Sequence, residues 1–179
     1  MTADRDPAEQ LDRAEVRDLL AKGWLTHDGM WFDAAARSLG VEAANDLNLA
    51  AIRAMAPFEV SRLGEALQED PTAMVDAAAV ARFVAAGIRL VTPESVSSHL
   101  RVWAGERSLH WEWDEGECFA FKGMQRFRWL DGYRCGVIYR IECWLEALGV
   151  RPRGAPVVEQ CVMRSSGRCA GGLDLSLPA

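Results

Sequence analysis

The chain has 179 residues, half of them apolar and 26% charged, with 20 basic against 26 acidic side chains and a formal net charge of −6. That length suits one domain, or one domain with a helical extension, and the balance excludes wholesale disorder. The acidic excess argues against phosphate-backbone binding, and no apolar run approaches the roughly 18 residues that span a bilayer, so neither a nucleic acid nor a membrane is expected as partner.

The first 92 residues read as helical. Asp6-Pro7 has the form of an N-cap followed by a proline at the first helical position, opening a helix that carries Leu11, Val16, Leu19 and Leu20 and that Gly23 ends or loosens. A second short helix is expected over Met30 to Leu39, stopping at Gly40. The Ala-rich stretch from Val41 to Leu67 has near-helical apolar spacing at Ala44, Leu47, Ala51 and Met55, with Pro57 placed to kink or break it. Asp70-Pro71 repeats the cap-plus-proline start, and a fourth helix is expected to run to about Ala86 and end at Gly87.

After Pro93 the rhythm changes. Val96 to Trp103 and Leu109 to Asp114 read as two strands around a polar turn, with Leu109, Trp111 and Trp113 on one face and His110, Glu112 and Asp114 on the other. Cys118 to Lys122 continues as a third strand, with Phe119 and Phe121 buried. Gly132 to Leu148 has the stripe of an amphipathic helix at Ile138, Ile141, Leu145 and Leu148, ended by Gly149. Val157 to Met163 and Ala170 to Leu175 then read as a closing hairpin. The predicted class is α+β: a helical N-terminal half (1–92) packed on an antiparallel sheet, with a C-terminal amphipathic helix and hairpin (93–179), all in one domain.

All five cysteines (118, 135, 143, 161 and 169) follow residue 117, and the start MTADRDPAEQ is polar and acidic rather than signal-like, so a cytoplasmic location is expected. In a reducing cytosol, clustered cysteines serve more often as metal ligands or redox groups than as disulfides. On the expected hairpin, Cys161 and Cys169 lie opposite or diagonal, with Cβ atoms roughly 5–8 Å apart, close enough to share a zinc ion with Zn–S bonds of about 2.3 Å. Glu159, two residues before Cys161, faces the same way on a regular strand. Cys135 opens the amphipathic helix, where amide dipoles favour a thiolate. Cys143 lies about 12 Å further along that helix, at 1.5 Å per residue, and cannot reach the same ion. The expected metal ligands are therefore Cys135, Glu159, Cys161 and Cys169, and the expected cofactor is zinc. The alternative reading makes the thiols small buried apolar groups.

The run CGVIYRIECWLEALGVRPRGAPVVEQCVMRSSGRC resembles the C-terminal part of 4-vinyl-reductase-type sensor domains. That resemblance implies a structural zinc beside a pocket for small aromatic molecules, although that family places its acid three residues before the cysteine and Glu159 is two before. Three longer runs, LTHDGMWFDAAARSLGVEAANDLN, HWEWDEGECFAFKGM and YRCGVIYRIECWLEALGV, are similar to a family of uncharacterised prokaryotic proteins. They are also distantly similar to the L-2-amino-thiazoline-4-carboxylic acid hydrolase family, whose members are assigned to ring opening.

Seven tryptophans against two tyrosines exceed what a small core needs. Trp24, Trp31, Trp111 and Trp113 are accordingly expected to line a pocket for a small aromatic or apolar molecule. His27-Asp28, in a turn between the first two helices, reads as a helix cap or as a general base beside aromatics. The leading expectation is a small-molecule-binding protein with a structural zinc. The competing one is a hydrolase-like enzyme on a small heterocyclic or thioester substrate, with His27, His110 and Glu112 or Asp114 as acid–base groups, or with the metal itself hydrolytic. The acidic Ala-rich helices leave a homodimer open.

Overall fold

A computed structural model describes residues 10–153 and 159–177. The class is α+β. Among the described residues, seven helices, the longest of them in the N-terminal half, accompany a four-stranded antiparallel sheet of order β1-β2-β4-β3.

Helix α1 spans Arg13–Leu39 without interruption. Asp12 opens it with a reciprocal cap: its carboxylate accepts from the amides of Ala14 and Glu15 at 2.8 Å, while the Glu15 carboxylate accepts from the Asp12 amide. The expected start at Asp6-Pro7 lies outside the described residues. Gly23 does not break the helix: an internal glycine costs only about 1 kcal/mol relative to alanine, and α1 runs through it with Ala21, Phe32 and Ala36 buried. The two short helices expected before Gly40 are therefore one. Gly40, at φ +92°, ends α1 by donating to Ala36 O and starts α2 (Val41–Leu67) by accepting from the Ala44 amide. Pro57 lies within α2 on an exposed position, and the helix continues through it.

Asp70 caps only a 3-10 turn (Pro71–Ala73). Helix α3 (Ala77–Val91) starts after a second cap, Asp76, and runs past Gly87 to Thr92. Gly87 stays helical because a Cβ there would meet Leu63 and Trp144 at 2.9–3.0 Å, so the residue marks a close crossing rather than an end. The four-residue helix α4 (Glu94–Ser97) leads into β1 (Leu100–Ala104) and β2 (Ser108–Trp113). The alternation expected in β2 holds: Leu109, Trp111 and Trp113 are buried.

The expected third strand is instead helix α5 (Phe119–Phe127). Ala120 and Met124, four apart, enter the core together, a helical spacing that the Phe119/Phe121 alternation concealed. Helix α6 (Gly136–Ala147) occupies the expected place, buried at Ile138, Ile141, Trp144 and Leu145. The closing hairpin does not form. Of its first arm, residues 157 and 158 lie outside the described residues, Glu159 to Cys161 form no strand, and Val162 and Met163 begin helix α7 (Val162–Ser166), whose first turn donates to the Cys161 carbonyl. Strand β4 (Ala170–Ser176) pairs with β2 on one side and with β3 (Arg151–Arg153) on the other.

Two glycines make the β2–β4 pairing possible. Trp111 faces Gly171 across the ladder and His110 faces Gly172. A Cβ on Gly171 would stand 2.5 Å from the Trp111 ring, and one on Gly172 would stand 2.6 Å from the His110 ring. One apolar core joins the helical part to the inner face of the sheet. Asn45, 1% exposed, ties the two parts by hydrogen bonds: its side chain donates to Gly132 O at 2.7 Å and accepts from the Arg134 amide at 3.0 Å.

Candidate functional site: an apolar cavity between four helices

Between α1, α2, α5 and α6 lies a cavity of about 260 Å³. Each element contributes residues at helical spacing. Trp24, Leu25, Asp28, Gly29 and Phe32 come from α1, and Asn48, Ile52 and Met55 from α2. Phe119, Gly123 and Phe127 share one face of α5, while Gly136, Val137, Arg140, Ile141 and Trp144 follow along α6. The ends of α3, β1 and β2 close it with Ile88, Val91, Leu100 and Trp113, and Tyr133 stands at the entry to α6. Phe119 meets Trp113 edge-on with ring centroids 6.1 Å apart, and Phe32 meets Tyr133 edge-on at 5.5 Å. Gly136 lets α6 approach α2, since a Cβ there would stand 2.9 Å from Asn48 and Ile52.

The few charges on this lining are unequal. Arg140 donates through Nε to Glu59 at 3.0 Å and through a second nitrogen to the other Glu59 oxygen, and its guanidinium lies over the Trp144 ring at 5.6 Å. Trp144 Nε1 donates to the same carboxylate at 2.9 Å. Two of its three nitrogens are thus tied to one carboxylate. Asp28 makes no hydrogen bond or ion pair among the described residues. Asp28 is exposed at the rim; the protein on its cavity side raises its carboxyl above the ordinary 3.8 by desolvation, against the opposing pull of Arg140 and His27. Arg126 also lines the cavity, on an exposed position of α5.

The expected site residues separate. Trp24 and Trp113 line the cavity, and the indole N–H of Trp113 is buried without a hydrogen-bond partner. Trp31 is exposed on α1, and Trp111 is buried against Gly171. His27 and Asp28 lie inside α1, so Asp28 is not a helix cap and His27 is not in a turn; His27 is exposed and stacks on Trp24 at 6.3 Å. His110 and Glu112 lie on the face of β2 opposite the buried Leu109, Trp111 and Trp113. There His110 Nε2 meets Ser108 Oγ at 2.8 Å and its ring stacks on Trp103, while Glu112 is held by Arg101 and Arg168. The structure therefore does not bring His27, His110 and Glu112 together. Asp114 lies 3.1 Å from His99, a pair the sequence reading missed.

The cysteines gather in a different way from that expected. Cys118, Cys135 and Cys161 are the residues that precede α5, α6 and α7, and Cys169 precedes β4; all four are buried in one neighbourhood. Burial pushes the Cys118 thiol up to about 11 and the Cys135 and Cys169 thiols up to about 12, with neighbouring thiols adding to the effect. The amides of Ala120 and Phe121 oppose it at Cys118, and those of Val137 and Ile138 oppose it at Cys135. Glu159 is exposed, and no three acids, cysteines or histidines among the described residues are placed as a metal-ligand set. Cys143 faces a different group: Arg53, Tyr139, Glu142 and Glu146.

Sequence reasoning missed Tyr133, Arg140 and Trp144 as lining residues. Arg140 and Trp144 stand at i and i+4 on α6, their only signal, and Tyr133 precedes that helix with none. Residues 9–92 match the model of a family of unknown function (DUF6125). The match ends with α3, so it covers the α1 and α2 walls of the cavity and not those from α5 and α6. No curated protein and no solved structure matches the chain. The resemblances to the amino-thiazoline hydrolase and 4-vinyl-reductase families gain no support from these comparisons. No helix among the described residues is long and apolar enough to cross a membrane.

Proposed function

We propose that the protein binds a small, largely apolar organic molecule in the cavity between α1, α2, α5 and α6. The observation that carries this reading is the lining itself: aromatic and aliphatic side chains from seven elements converge on one space with only a few polar groups among them. Its volume, about 260 Å³, lies just below the roughly 300–1,000 Å³ usual for small-ligand sites, which favours a ligand of one or two rings. Trp24, Trp113 and Trp144 in the lining make binding visible by fluorescence.

The test is titration with a two-ring apolar reporter that is neutral at pH 7.5, 1-naphthylamine, followed by reporter emission and tryptophan quenching. Gly123→Phe is the matched variant. Nothing stands within 4 Å of the Cβ position of Gly123, so the new ring enters the cavity without a backbone clash, and replacing an internal helix glycine favours α5. The reporter should bind the native chain and fail to bind a folded Gly123→Phe. Equal binding by both would place the reporter elsewhere and end the reading.

A second reading attaches to the thiols: a structural zinc held by Cys118, Cys135, Cys161 and Cys169, with Cys118 in the place first expected of Glu159. It is favoured by the donor chemistry of four thiols in one neighbourhood. Zinc would have to draw these side chains together, and a site of four thiolates would staple α5, α6 and β4 rather than activate water. Metal analysis of protein purified without chelator should find one zinc per chain, lost in Cys118→Ser and kept in Cys143→Ser. A native protein free of metal would refute it.

A further inference from the structure

We infer that two copies of this chain pair through α1, antiparallel and about a two-fold axis, along a stripe of Leu20, Trp24, His27 and Trp31. These residues follow one another at intervals of four, three and four, so on an uninterrupted helix they share one side, as the seam positions of a coiled coil do. None of them is buried: Leu20 is 68% exposed, Trp24 49% and Trp31 41%, and the exposed His27 ring stacks on Trp24. Leu19 and Met30, also exposed, border the stripe. From Leu19 to Trp31 this side of the helix carries no Asp, Glu, Lys or Arg, because Lys22 and Asp28 fall outside it at 100° per residue.

Leu19, Leu20, Trp24, Met30 and Trp31 leave about half of their surfaces uncovered, which at roughly 200 Å² per large side chain is about 500 Å² of apolar area on one helix. That stands near the top of the largest patch of a typical monomer, about 300–600 Å². Two helices of 27 residues, each about 40 Å long, add Ala34 and their flanks to this area and approach the roughly 800 Å² per partner of a standard interface. Gly23 is an independent sign. It costs α1 about 1 kcal/mol relative to alanine, has no positive φ, and has nothing among the described residues within 4 Å of its Cβ position. A second helix laid on this side uses the missing side chain.

The occupant is a second copy because the stripe matches itself. Intervals of four, three and four read the same in both directions. An antiparallel copy therefore sets Leu20 against the partner's Trp31 and Trp24 against the partner's His27, each contact made twice about an axis between residues 25 and 26. The same orientation places each helix start beside the other's end, the favourable arrangement of the two dipoles. A lipid surface would ask for a basic rim, whereas Asp18, Lys22, Asp28, Asp33 and Arg37 mix both signs along α1 and the chain carries a net −6.

The experiment is sedimentation equilibrium of the full chain from 1 to 100 µM, where the native protein should reach twice its 19.8 kDa. Trp24 and Met30 also line the cavity, so Leu20 and Trp31 are the positions to change. Leu20→Glu and Trp31→Lys act on exposed residues, so each should keep the native circular dichroism while weakening dimerisation about a hundredfold. A mixture of the two variants should recover the dimer. Antiparallel pairing sets the new carboxylate against the new ammonium and leaves the second Leu20–Trp31 contact intact, whereas parallel pairing opposes each charge to an apolar residue. Hydroxyl-radical labelling of the native chain needs no substitution and should find Leu20 and Trp31 protected at 100 µM relative to 1 µM. A native chain that stays monomeric at 100 µM, or a dimer that survives both variants, would overturn the inference. A mixture that stays monomeric would overturn the antiparallel register.

Discussion

Glu142 on α6 offers a stability test with a defined sign. One of its carboxylate oxygens is buried without a hydrogen-bond partner, and its pKa is pushed from 4.5 to about 7, first by burial and then by Glu146, with Arg53 opposing. Below pH 4.5 the carboxyl is protonated in both folded and unfolded chains and costs nothing. Between 4.5 and about 7 the unfolded chain releases the proton while the folded chain keeps it, so stability falls as pH rises; above 7 the whole cost is present. Each tenfold change in proton affinity is about 1.4 kcal/mol, so the displacement corresponds to about 3 kcal/mol at most. Glu142→Gln removes the ionisation and keeps the shape. Urea unfolding at pH 4.5, 6 and 8 should show the variant gaining on the native chain as pH rises, by about 1–3 kcal/mol between the extremes. Any constant offset reports the amide's own hydrogen bonding and is not diagnostic. Glu146→Gln should remove part of the same slope, because it takes away the second cause. A difference between native and Glu142→Gln that stays flat from pH 4.5 to 8 would refute the argument.

Two further outcomes follow from the packing. Gly171→Ala puts a methyl group 2.5 Å from the buried Trp111 ring, so the β2–β4 pairing should lose about 1–3 kcal/mol of stability by thermal or urea unfolding; an unchanged midpoint would mean that the ring has room to move. The raised, buried thiols of Cys118, Cys135 and Cys169 should react with Ellman's reagent at pH 8 far more slowly than the five cysteines of the guanidine-unfolded chain. Rapid labelling of these three in the folded protein would contradict their burial.

Residues 100–113 and 136–148 were legible because their patterns are local. The alternation of Leu109, Trp111 and Trp113 against His110 and Glu112 fits only a half-buried strand, and the α6 stripe repeats at helical spacing. Asp12-x-x-Glu15 is equally a local signal, since the cap closes within four residues, and it competes in the sequence with the cap-plus-proline form of Asp6-Pro7. The segment FAFKGMQRF carries two signals at once. Phe119 and Phe121 alternate as in a strand, while Ala120 with Met124, and Phe119 with Gly123 and Phe127, repeat as in a helix. Only the availability of a core on one side and a cavity on the other selects the helix.

What the chain alone determined was therefore the α+β class, the run of N-terminal helices and the buried face of β2. Tertiary structure decided the rest: that Gly23 stays helical, that Asp28 is a lining residue inside α1 rather than a cap, and that four thiols from distant positions are buried near one another without forming the expected hairpin site. The physical reason is range. Caps and periodicities act over a few residues and leave a mark at a fixed spacing, whereas a cavity and its charge balance depend on which side chains from separate elements have already found partners. Arg140 and Glu59, 81 positions apart, satisfy each other and leave Asp28 alone, and no local pattern in the sequence encodes that choice.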